Sequence, residues 1–492
     1  MTPRPSRLLA ALAATSLLVA ACSRGPEEGE EVETTDGAAA TTPEGTGGGA
    51  APTTAGDTEA TEPPDDTAAD TTTGDTEGGE TTEGGGGGEA WAVATDDCID
   101  PDLVNAPIEG TVSIGSSMPL SGGVAAAAFG PVAEGFRAYI EYANEQGLLP
   151  EHDVELNIGD DQYDPAQTPN VVNGLLDAGV NLFSGIIGSP NNAAVRDVLN
   201  EECVPQMLAL TGSPAWGEVA DYPWTTGGLI PYNIESEAYV EHIAEQFPDG
   251  ATAALFTVAN DFGEVYRTAF EAAAEEAGIE IVDTQTIEAA DSAPPSAQLN
   301  SIAGNQPDVI MAVPLGAQCP TFMTELANAK AVQTGWDPQV YITNTCASPL
   351  ILGIAGEAAN GLITSASGGL KDVSNPEVVA TDPDVQGYID YMTNRGNGDI
   401  VTTAAAGWNI GEVTVEILRQ AAESPEGLTQ ASIINTARNF DYAPALTREG
   451  VDYKMAGEED AFYAEDIQIV QYDAATAHFV DVGELITTFR SS

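Results

Sequence analysis

The chain predicts an α/β fold of two doubly wound parallel-sheet lobes joined by a hinge, on three observations. From about Thr111 onward, short apolar runs alternate with stretches of helical periodicity, the pattern of βα units around parallel sheets. The alternation comes in two successive sets, the second starting near Ala251. The part with this pattern is roughly 380 residues long, more than a single core usually holds, so two lobes are expected.

Residues 1–21 precede this pattern and have a different character. Arg4 and Arg7 are followed by an apolar run from Leu8 to Ala21, and Cys22 stands directly after Val19-Ala20-Ala21. The run is shorter than the roughly 20 residues that span a bilayer and ends in small residues, so cleavage fits better than a permanent membrane helix. It resembles a bacterial lipoprotein export signal, which implies that Cys22 becomes the lipidated first residue. Each buried acyl methylene contributes about 0.8 kcal/mol, enough for two or three chains to hold the protein at a membrane surface. The localisation expected is extracytoplasmic, with the membrane contacted through the lipid alone.

Residues 22–90 are Thr, Gly, Glu, Asp, Ala and Pro with almost no large apolar side chains. Such a segment cannot bury enough surface to offset the entropy of ordering, and it reads as an acidic tether. About 70 flexible residues reach about 45 Å. The net charge of the whole chain is -63, which repels phosphate backbones and anionic headgroups and excludes nucleic acid as a natural partner.

Four cysteines remain after Cys22: Cys98, Cys203, Cys319 and Cys346. In an exported protein an even count points to disulfides, and three pairings are open; free buried thiols are the other reading. Cys98–Cys203 with Cys319–Cys346 is the pairing that keeps each bond inside one lobe. No C-x-x-C or neighbouring histidine accompanies them, so no metal is expected there.

In the first unit, strand candidates are Val112 to Ser116, Val154 to Ile158, Leu182 to Ile187 and Gln206 to Leu210. Between them, Pro131 to Gln146 carries Val132, Phe136, Ile140 and Ala143 on one face, with Gly147 as a helix stop. Helices are also expected at Gln167 to Ala178 and Asn192 to Asn200. In the second unit the strand candidates are Ala253 to Val258, Ile279 to Thr286, Val309 to Val313, Val340 to Thr343 and Leu362 to Ser365. Phe262 to Ala277, Ser296 to Ala303 and Cys319 to Ala331 read as helices. The longest helix is expected at Thr402 to Glu423, where Ala404, Trp408, Gly411, Val415, Leu418 and Ala422 keep a single stripe.

Several short motifs fall just past these strands: MPLSGG at Met118 to Gly123, DDQYDPAQ at Asp160 to Gln167, GIIGSP at Gly185 to Pro190 and LTGSP at Leu210 to Pro214. The second unit adds NDFG at Asn260 to Gly263, SAQL at Ser296 to Leu299, PDVI at Pro307 to Ile310 and AGWN at Ala406 to Asn409. In that order, over essentially all of Gly110 to Leu485, they resemble the type I periplasmic binding proteins, specifically the leucine/isoleucine/valine-binding family of ABC importers in its lipoprotein form. The resemblance implies a receptor that captures a small polar solute, an amino acid or an amide- or urea-like compound, by hinge closure. Its implied partners are that solute and the permease subunits, and a monomer is expected. The implied lobes are 108–232 with about 368–438, and 233–367 with about 439–486.

In the family, the first lobe holds an α-carboxylate with hydroxyls and backbone amides, which here implies Ser189, Thr211, Gly212 and Ser213, with Ser121 on the first loop. Capping explains such residues as well, since short hydroxyl side chains are preferred N-caps. Tyr232, Phe262 and the loop Leu315 to Gln318, with Gln318 at its end, are further lining candidates. The sequence departs from the family in three places. Gly212 stands where threonine is usual, and Phe262 where tyrosine is usual. The carboxylate that neutralises the ammonium has no clear counterpart, Asp291 being nearest.

Asp160, Asp161 and Asp164 are grouped, but their spacing does not make an EF-hand loop, and neither metal nor cofactor is expected. The histidines His152, His242 and His478 stand alone, and no G-x-S-x-G elbow, Walker A loop, H-E-x-x-H or dinucleotide fingerprint occurs in its required context. An enzyme is therefore not expected. A surface sensor or partner-binding lipoprotein would need the same cleft and hinge as a transport receptor.

Overall fold

The computed structural model describes residues 90–489. The export signal, Cys22 and all of the tether but its last residue lie outside the described residues.

Five parallel strands build the first sheet: β1 (Thr111–Met118), β2 (Asp153–Asp160), β3 (Leu182–Ser184), β4 (Gln206–Ala209) and β5 (Thr225–Gly227), in the order β2-β1-β3-β4-β5. The third is shorter than the apolar run 182–187 predicts. Gly185 turns to φ 69°, which breaks the ladder, and pairing resumes only as a bridge between Ile187 and Leu210.

The second sheet repeats that winding with β6 (Thr252–Val258), β7 (Glu280–Ile287), β8 (Val309–Val313), β9 (Gln339–Ile342) and β10 (Ile363–Ser365), in the order β7-β6-β8-β9-β10. All five residues of β8 are buried, as a strand covered on both faces requires. Beyond β10 the chain makes a separate antiparallel pair, β11 (Asp441–Tyr442) with β12 (Tyr453–Lys454). It then adds β13 (Ile469–Asp473) and β14 (His478–Asp481) to the free side of β10, both antiparallel. The second lobe is therefore a mixed sheet, where the sequence pattern leads one to expect strands only as far as Ser365.

The first long helix begins at Ala125, six residues before the expected Pro131, and runs to Gln146 with the proline inside it. It packs against Val401–Glu423 almost backbone to backbone. A Cβ at Gly135 would stand 1.9 Å from the Ala404 carbonyl oxygen, and one at Gly407 would stand 1.8 Å from that of Val132. Glycine at both crossing points is what lets the two axes approach this closely.

The described chain enters the fold along the helix Gln430–Arg438 and the residue after it. Trp91 N–H donates to Asn439 Oδ1 (3.1 Å), the Trp91 carbonyl accepts from Asn439 Nδ2 (2.8 Å), and Val93 N–H donates to Asn435 Oδ1 (2.8 Å). Disulfides join Cys98 to Cys203 and Cys319 to Cys346.

Candidate functional site

In each sheet the first strand has the chain's next two strands on either side of it, so the loops leaving β1 and β3, and those leaving β6 and β8, diverge and open a crevice at the carboxyl ends of the strands. The two crevices face one another. Between them lies a cavity of about 1350 Å³ of empty space, counting its open mouth. The first sheet lines it with Ile187, Gly188, Ser189 and Leu210, and the second with Phe262, Leu315, Asn344, Thr345 and Ser367. Tyr232 comes from the start of the helix Tyr232–Gln246, Tyr453 from β12, Tyr463 from the loop after it, and Asn409 from the 401–423 helix.

Four of the expected lining residues meet here: Ser189, Tyr232, Phe262 and Leu315. Ser189 opens the helix Ser189–Glu201, whose N-cap Gly188 provides no side-chain cap, and its hydroxyl lies 2.8 Å from that of Thr211. Tyr232 stacks on Tyr266 with ring centroids 4.2 Å apart and meets Phe262 edge-on at 5.5 Å. Burial pushes the Tyr232 phenol up to about 12, although the Gly212 backbone and the Ser189 and Thr211 hydroxyls pull the other way.

The others stand behind or beside the cavity. Thr211 is buried and accepts from Ser213 N–H at 3.1 Å, which fixes the turn before the short 3-10 helix Pro214–Gly217. Gly212 is a spacer: a Cβ there would fall 2.3 Å from the Ile230 carbonyl oxygen and 2.4 Å from the Tyr232 ring. The tyrosine ring thus takes the room that a side chain at 212 would need, which accounts for this departure from the family pattern.

Ser121 is exposed and gives its N–H (3.2 Å) and its hydroxyl to the Asp160 carboxylate. Gln318 is turned into the protein. Its Nε2 donates to the Asp291 carbonyl (2.9 Å) and the Glu288 carbonyl (3.1 Å), while its Oε1 accepts from Leu315 N–H (3.0 Å). It shapes the loop that presents Leu315. Among the described residues, no group of three His, Cys, Asp or Glu side chains is placed to hold a metal.

Sequence reasoning assigned no role to Tyr163, Asn344, Asn409, Tyr453 or Tyr463, all of which line the cavity. Two of them were within reach, since Tyr163 lies in DDQYDPAQ and Asn409 ends AGWN.

Beneath Asn344 lies a polar cluster centred on Glu235, which is fully buried. Its carboxylate accepts from Asn344 N–H (3.1 Å), Asn344 Nδ2 (3.0 Å), Ser365 Oγ (2.8 Å) and the hydroxyls of Tyr239 and Tyr266. Burial pushes this carboxyl above its ordinary range even so, with the tyrosine, serine and backbone bonds opposing. The cluster locks the loop after β9 to the helix Tyr232–Gln246 and sets the second-lobe wall.

Comparison with known proteins matches residues 111–477 to the model of a periplasmic binding protein family. A leucine-, isoleucine-, valine-, threonine- and alanine-binding protein of Pseudomonas aeruginosa is 24% identical over 333 residues, 66% of this chain and 83% of that protein. The solved branched-chain amino acid ABC transporter protein of Thermus thermophilus, with bound valine, superposes with a TM-score of 0.68 at 19% identity. It covers 77% of this chain and 97% of its own. A fatty acid ABC transporter substrate-binding protein of Thermomonospora curvata superposes with a TM-score of 0.65 at 18% identity, over 78% of this chain and 95% of its own.

Proposed function

Because the chain belongs to the periplasmic binding protein family, we propose that it is the extracytoplasmic solute receptor of an ABC importer, closing two lobes over a small molecule and releasing it to permease subunits. The observation that carries this reading is the cavity itself, walled from both sheets at the carboxyl ends of their strands. Ser189 and the uncapped start of its helix offer hydrogen-bond donors from the first lobe. Tyr232 and Phe262 supply an aromatic face beside the crossing between lobes, and the loop after β9 closes from the other side. The chain passes between the sheets at about 228–232, again beyond β10 and a third time before β13, and small rotations at such crossings open a clamshell without repacking either core.

The lobes are 108–232 with about 368–438 and 233–367 with about 439–486, the receptor acts as a monomer, and it carries out no chemistry on its solute. Residues 1–21 are removed and lipid on Cys22 anchors the acidic tether. Mass spectrometry of the mature N-terminus checks the anchor: a diacyl or triacyl Cys22 is expected, and an unmodified terminus downstream of it refutes it.

The receptor reading is tested by a thermal-shift panel of small solutes combined with small-angle scattering. A bound solute raises the melting midpoint by mass action and shrinks the radius of gyration as the lobes shut. A panel of amino acids, organic acids, amides and sugars that changes neither would overturn it.

A further inference from the structure

The cavity wall contains charged residues, yet each is engaged by the protein. Lys371 Nζ contacts Asp382 Oδ2 at 2.7 Å and the Ala445 carbonyl at 2.8 Å. Arg448 Nη1 contacts both oxygens of Asp481, at 2.7 and 2.8 Å. Asp372 accepts from Ser374 N–H (2.9 Å) and Ser374 Oγ (2.6 Å) on one oxygen and from Phe479 N–H (2.7 Å) on the other. Glu235, behind the wall, has five donors on its two oxygens. Asp261 is exposed and lies outside the lining, although its neighbour Phe262 lies within it.

Among the described residues, the carboxylates in the wall and directly behind it, Asp372 and Glu235, therefore meet an ammonium with protein donors already on them. Asn409 Oδ1 is buried without a partner, but a neutral acceptor does not cancel a charge, and an uncompensated buried cation is strongly disfavoured. Apolar contact is supplied by Phe129, Tyr163, Tyr232, Phe262, Leu315 and Phe479, with uncharged polar groups such as Ser189 and Asn344 between them. Phe129 and Tyr163 lie with their rings nearly parallel, centroids 6.1 Å apart.

Resting on the receptor reading above, we infer that the cognate solute is a small molecule with an aromatic or branched aliphatic body and no ammonium group. The cleft disfavours zwitterionic amino acids because Asp372 in its wall and Glu235 behind it are already bonded to the protein's own loops.

Matched pairs that differ only at the α-nitrogen test this on the full-length protein, stripped of bound solute by unfolding and refolding. Calorimetric titration with 3-phenylpropanoate against phenylalanine, and with 4-methylpentanoate against leucine, is expected to favour the member without the amine by about tenfold or more. The amides 3-phenylpropanamide and 4-methylpentanamide form a third arm that separates an acid head group from a neutral one. In Thr345→Asp, which adds a carboxylate at a half-buried wall position, the preference is expected to narrow by about fivefold or more. Equal or tighter binding of the amino acids to the natural protein overturns the inference and leaves the receptor reading standing. So does absence of heat with every member of the pairs while another solute class compacts the protein in scattering. Failure of all solutes to compact it removes both.

Discussion

Ser348 Oγ and Thr403 Oγ1 lie 2.6 Å apart, both buried, on opposite sides of the cleft. Ser348 follows β9 of the second sheet, and Thr403 is in the first turn of the 401–423 helix that packs on the first lobe. A second bond crosses nearby, from Ala317 N–H to the Val124 carbonyl at 3.1 Å. Both contacts join the two sides of the cleft. Thr403→Val is expected to weaken solute binding by about 2- to 10-fold, the equivalent of about 0.5 to 1.5 kcal/mol for one hydrogen bond. Ser348→Ala should do the same, and the double variant should be less than additive. Titration of all three checks it, and unchanged affinities would show that the pair does not hold the lobes together.

Glu412 is a buried carboxyl on the same long helix. Its Oε1 accepts from Tyr442 OH (2.8 Å) and Ala445 N–H (2.9 Å), while Oε2 has no partner. Burial pushes it above its ordinary value of 4.5, with the two hydrogen bonds opposing. A carboxyl raised on folding holds its proton longer in the native state, so its contribution to stability is lost as pH rises from 4.5 through the folded value and stays lost above it. Glu412→Gln keeps the acceptor and removes the charge. It should stabilise the protein at pH 8 by about 1 to 3 kcal/mol, with the gain vanishing toward pH 4, as read by chemical denaturation across pH.

The two disulfides should separate by function. Cys98–Cys203 spans 105 residues and Cys319–Cys346 spans 27, so loop entropy assigns about 4 to 5 and about 3 to 4 kcal/mol to them. Cys346 adjoins the wall residues Asn344 and Thr345, whereas Cys98 and Cys203 lie away from the cavity. Paired serine replacements should lower the melting temperature in both cases. Solute affinity should fall only for Cys319→Ser with Cys346→Ser.

Gly407→Ala puts a methyl group 1.8 Å from the Val132 carbonyl oxygen. The helices 125–146 and 401–423 must then separate, at a cost of about 1 to 3 kcal/mol or more. Gly135→Ala should match it, and a melting temperature unchanged by either would mean that the helices do not pack this closely.

These helices also show where sequence reading succeeds and where it stops. The 401–423 helix was legible almost to the residue, because large apolar side chains repeat on one face, and Gly147 marked a helix end. The start of the 125–146 helix was not, since Ala125 to Ala128 have no polar face to create a period and Pro131 looked like a beginning. β13 and β14 went unseen because they are an antiparallel hairpin appended after the repeated βα pattern ends. At the site, residues on strand-to-helix loops were findable by position: Ser189 and Phe262 sit directly beyond β3 and β6. Tyr453 and Tyr463 reach the same cavity from the chain's last quarter, and only three-dimensional closure brings them there. Gln318 shows the reverse, a polar residue in the right loop whose amide is consumed by three backbone carbonyls.

The clasp between Trp91, Val93 and the asparagines Asn435 and Asn439 fixes how the folded body responds to being tugged. Tension arriving from upstream of residue 90 passes into the 430–438 helix, and the Cys98–Cys203 bond carries it covalently to the end of the 189–201 helix beside β4. None of the side chains on that path lines the cavity, so the pull is borne away from the solute's walls.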